Sequence, residues 1–191
     1  INGVDVTHVE VDMSKVADAL RAGTIDATAA YTTAGVSLAS WIKVLDVASD
    51  LQGVNPTPEQ IKKLTAAGFT PAKINFKKAY TSDLGVAELY GVPFYFGYHH
   101  GIGFPADAVY KALKVFEAAG PALLKLDPGF GPLAKDFAGF QVKGIESIPD
   151  MPVHPGLAKY LKEKGLWNDS WIIADEGTVA MAIEKMKAKV K

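Results

Sequence analysis

Three short runs of β-branched and apolar residues fall within the first 47 positions: "VDVTHVEV" (Val4 to Val11), "TIDATAAY" (Thr24 to Tyr31) and "IKVLDV" (Ile42 to Val47). The first alternates apolar and polar side chains, the period of a half-buried strand, and the second is continuous enough for a buried one. Between them Ser14 is placed to N-cap a short helix with apolar positions Val16, Ala17, Ala19 and Leu20, closing at Gly23. Strand, helix, strand, a possible second helix and strand in this order predict an α/β fold with a parallel or mixed sheet flanked by helices.

Helix signals dominate beyond residue 55. Thr57 is a plausible N-cap, with Pro58 at the first helical position and Gly68 as the stop. "PADAVYKALKVFEAAG" has helical apolar spacing, starting at Pro105 and predicted to end at Gly120. "PGFGP" (Pro128 to Pro132) breaks the chain before another short helix. A helix from His154 stops at Gly165, and "DEGTVAMAIEKMKAKVK" reads as a terminal amphipathic helix.

Composition narrows the function classes. The chain has 191 residues, 49% of them apolar, and a net charge of −1, which argues against a nucleic-acid surface. It has no cysteine, so disulfides, thiolate nucleophiles and cysteine-ligated zinc are excluded. No apolar run approaches the roughly 20 residues that span a bilayer. The start, "INGVDVTHVEV", has neither a basic n-region nor an apolar h-region, and reads as a chain that begins inside a longer one.

No GxSxG, Walker A or GxGxxG motif is placed for catalysis or phosphate binding, and the carboxylates are scattered, so an enzyme is not expected. The stretch "GVPFYFGYHHGIGF" (Gly91 to Phe104) holds the adjacent pair His99 and His100. In an extended chain neighbouring side chains point to opposite faces, so the two would not chelate one metal unless the backbone turns. A metal or general-base role stands beside a reading as one rim and one packed histidine. Alternation puts Phe94, Phe96 and Tyr98 on one face and Tyr95 on the other, as a core strand or as the wall of a cleft.

"AYTTAG" places Tyr31, Thr32, Thr33 and Gly35 just beyond the second expected strand. Ligands of open α/β sheets sit outside the carboxyl ends of strands, and hydroxyls and backbone N–H groups there suit a small polar ligand. The alternative is that Thr32 or Thr33 caps the next helix. Arg21, the only arginine, sits near a helix C-terminus, where it complements the dipole rather than clamping a ligand.

"VADALRAGTIDATAAYTTAG" (Val16 to Gly35) resembles the helix-strand segment of type II periplasmic solute-binding proteins. "AYTSDLGV" (Ala79 to Val86) is similar to the Tyr-x-x-Asp-x-x-Val loop of one branch of them, and "HPGLAKYLKEKGLW" (His154 to Trp167) to that branch's C-terminal signature. The branch is the TAXI family, the solute receptors of tripartite ATP-independent periplasmic (TRAP) transporters. "GVDVTHVEVD" is also similar to the tripartite tricarboxylate receptors, but the C-terminal signature favours TAXI. The resemblance implies a type II periplasmic-binding-protein fold: residues 1–90 as the second lobe, 91–104 as the interlobe crossing, and 105–191 returning to a first lobe that lies ahead of this sequence. "PFYFGYHHGIGFP" is longer than the usual crossing and departs from it in its histidines. The implied ligand is a small carboxylate such as glutamate or 2-oxoglutarate, held by Tyr31, Thr32, Thr33, Gly35, Tyr80 and Tyr95 or Tyr98. Membrane subunits of a TRAP transporter are the implied partners and the periplasm the location, with no cofactor, metal or nucleic acid. The alternatives are a hydrolase or metal-dependent enzyme using His99 or His100, and a sensor domain of the same fold.

Overall fold

The structure, a computed structural model, describes residues 5–95 and 101–190. It is mixed α/β: about half of the chain is helical, with one two-stranded sheet among the described residues. Two units divide it, Ile1–Pro93 and Phe94–Lys191.

In the first unit the Asp12 carboxylate accepts from the Ser14 N–H at 2.8 Å and caps a 3-10 turn, Met13–Lys15, that leads into α1, Val16–Arg21. The cap expected at Ser14 therefore falls on Asp12, whose carboxylate also takes the Ser14 hydroxyl. Gly23, with φ of 69°, follows the helix as anticipated.

The expected strands are not there. Residues 5–11 and 24–31 have no regular structure and lie mostly at the surface. β propensity makes a strand only where a neighbour completes the ladder, and among the described residues neither run takes part in a ladder or a bridge. Residues 42–47 belong to a helix, α2, Ser40–Ala48. Ile42 and Leu45 are buried while Val44 and Val47 are 57% and 81% exposed, a one-sided burial with helical period. A short apolar run is ambiguous between strand and helix, and here packing selects the helix.

α3, Pro58–Ala66, follows the sequence closely: Thr57 and Gln60 form a reciprocal capping box, Pro58 opens the helix, and Gly68 follows it at φ 89°. β1, Ala72–Ile74, and β2, Leu89–Gly91, pair antiparallel, with Lys73 opposite Tyr90, instead of forming the parallel or mixed sheet expected. Asn55 borders β2, donating to Glu88 C=O at 2.7 Å and accepting from Tyr90 N–H at 2.9 Å. Its side-chain amide thus stands in for a neighbouring strand.

The second unit is helical. α4, Ala106–Leu126, begins after Pro105 but runs through the expected stop at Gly120 and through Pro121. Gly120 is buried, and a Cβ there would lie 3.1 Å from the Ala134 Cα. The glycine therefore serves a close helix contact, and Pro121 removes a single ladder donor from a helix held on that side. The neighbour is α5, Gly131–Lys135, reached through a 3-10 turn, Pro128–Phe130, that Asp127 caps at Gly129 N–H. Asp136 caps α6, Phe137–Ser147, and His154 caps α7, Pro155–Glu163, through Nδ1 and the Gly156 N–H at 3.1 Å. Gly165, at φ 67°, follows α7, and α8 spans Glu176–Val190.

The core of this unit centres on Ala138, Tyr160 and Leu161, with Tyr110, Leu113 and Phe137 packed against it. α7 lies close on α4 because Gly156 has no side chain to strike the Ala106 carbonyl. Burial, and then the Glu117 carboxylate, push the Tyr160 hydroxyl far above its usual range. Lys114–Glu163, Lys159–Asp107 and Lys164–Glu117 ion pairs stitch the rim of the same contact. The other side of α4 stays apolar and open, with Val115 66% and Leu126 80% exposed.

Candidate ligand site

The segment after Tyr31 is a tight reversal. Thr33 N–H donates to Ser37 C=O at 2.8 Å, and Thr33 C=O accepts from Val36 at 3.1 Å and Ser37 at 3.2 Å. Ala34 and Gly35 have φ of 53° and 71°, the left-handed pair of a type I′ turn. Glycine is needed at 35 for a second reason: a Cβ would stand 3.1 Å from the Asn75 carbonyl oxygen. That contact ties the reversal to the residue after β1. Thr32 is half-buried and Ser37 buried.

The reversal delivers the chain to the start of α2. Here the Tyr31 ring meets Trp41 edge-on, with centroids 6.2 Å apart and planes at 68°. Ala39, at the N-cap position, has no side-chain acceptor for the first-turn N–H groups. The Trp41 Nε1 is buried and meets no acceptor among the described residues. This end of α2 therefore gathers N–H donors at the positive end of a helix dipole, beside a tyrosine ring.

The other end of α2 is held differently. Asp46 is 4% exposed. Its Oδ2 accepts from Thr81 N–H at 2.9 Å and Thr81 Oγ1 at 2.7 Å, its Oδ1 accepts from Ser82 N–H at 3.1 Å, and its backbone C=O takes the Ser82 hydroxyl at 2.6 Å. Burial alone would raise its pKa, but the bonds from Thr81 and Ser82 outweigh burial and hold it below the usual carboxylate value. Tyr80, just before this clamp, is half-buried, and burial followed by the nearby Asp46 charge raises its hydroxyl pKa. One helix thus joins the Tyr31 reversal to the Tyr80 turn, with Trp41 and Asp46 about 7.5 Å apart along its axis.

Tyr31, Thr32, Thr33, Gly35 and Tyr80 all lie in the first unit. Tyr95 is in the second, exposed and edge-on to Phe140 with centroids 5.4 Å apart. Tyr98, His99 and His100 lie outside the described residues. Arg21 ends α1 and pairs with Asp18 at the surface. A concavity of about 250 Å³, lined in part by Lys73, Asn75 and Lys77, adjoins the reversal through Asn75.

Trp41 and Asp46 are the residues that sequence reasoning missed. Reading 42–47 as a helix would have placed Trp41 in its first turn. No local pattern marks Asp46, because its partners are 35 and 36 residues away. Among the described residues no group of three histidine or carboxylate side chains is placed to hold a metal ion, and no helix is long and apolar enough to cross a membrane. No family model, curated protein or solved structure matches the chain.

Proposed function

We propose that this chain belongs to an extracytoplasmic solute receptor of the TAXI type, with a type II periplasmic-binding-protein fold. It takes up a small organic anion in the periplasm and passes it to the membrane subunits of a TRAP transporter. The observation that supports this reading most is the α2 N-terminus, where the first-turn N–H groups have no side-chain cap and the Trp41 indole N–H meets no acceptor among the described residues, beside Tyr31 and the Thr33–Ser37 reversal. A carboxylate supplies the acceptors such a place lacks, and an aromatic ring covers the apolar part of the solute. Tyr80 would line the same site from the far end of α2, with the first lobe completing it. That lobe would also cover the exposed run 24–30.

Titration calorimetry with glutamate and with 2-oxoglutarate tests the proposal. Binding of either acid is expected, weakened about tenfold by Tyr31→Ala, the loss of roughly one hydrogen bond to a charged group. An affinity unchanged by that substitution removes Tyr31 from the site. If native mass spectrometry of the purified protein carries no organic acid adduct and neither acid gives heat, the receptor reading is set aside.

A further inference from the structure

We draw no further inference here: the strongest candidate, the exposed apolar seam of α4 running from Ala108 through Val115 to Leu126, is too short to bury the area that a stable second copy needs, and nothing in the structure shows what covers it.

Discussion

Replacing Asp46 by Asn keeps the shape of a buried side chain and removes its charge. The amide has one acceptor oxygen, which suits Thr81, and its NH2 then faces the Ser82 N–H, donor against donor. A charge-assisted bond is lost and a buried donor goes unpaired, together about 2 to 4 kcal/mol. The damage is local, so amide hydrogen exchange at Thr81 and Ser82 reads it most directly. A loss of about 2 kcal/mol corresponds to roughly thirtyfold faster exchange at both amides. Acid adds a second reading, since the Asp46 carboxyl is depressed in the folded protein. Its contribution is complete above the unfolded value, about 4, and disappears as pH falls through the lower folded value. Urea unfolding should therefore show wild type and Asp46→Asn converging as the pH drops below about 4. Equal exchange rates at the two amides, or a stability gap that does not narrow on acidification, would refute the clamp.

Gly35→Ala and Gly23→Ala both place a Cβ at positive φ, but only residue 35 faces a neighbour, the Asn75 carbonyl. Gly23→Ala should cost about 1 kcal/mol and Gly35→Ala about 1 kcal/mol more in urea unfolding; equal costs would mean that Asn75 yields. Gly156→Ala would push a methyl into the Ala106 carbonyl and to 2.7 Å from the Val109 Cβ. It should lower the unfolding free energy read from Trp167 and Trp171 fluorescence by about 1 to 3 kcal/mol, and an unchanged value would show that α7 rides freely over α4. Pro121→Ala restores a ladder donor inside α4 and should stabilise the second unit by up to about 3 kcal/mol in thermal unfolding, whereas a fall in Tm would show that the proline stiffens the helix.

Local chemistry made much of the helical structure readable. Thr57, Pro58, Gln60 and Gly68 lie within a dozen residues of one another and act through bonds that span three or four positions, so their pattern determines α3 with little outside help. Gly120 misled because the same residue type ends helices and admits close neighbours, and Ala134 is distant in sequence. The strands misled for a related reason: alternation at residues 5–11 describes a surface that fits a sheet without saying whether a sheet is present to receive it. At the candidate site the reversal residues were legible from their types, Thr and Gly after an apolar run. The helix that organises them was not, since Ile42 to Val47 has six residues and too few turns to reveal a period.

The double attachment of α2 has a mechanical consequence. Its N-terminal end bears on Tyr31 through Trp41, and its other end grips Thr81 and Ser82 through Asp46. A nine-residue helix is stiff over its length of roughly 13 Å. Any tilt imposed at Trp41 is therefore carried to the Tyr80 turn as a displacement of the opposite end. The two clusters are coupled through one stiff element, so a displacement at either is felt at the other.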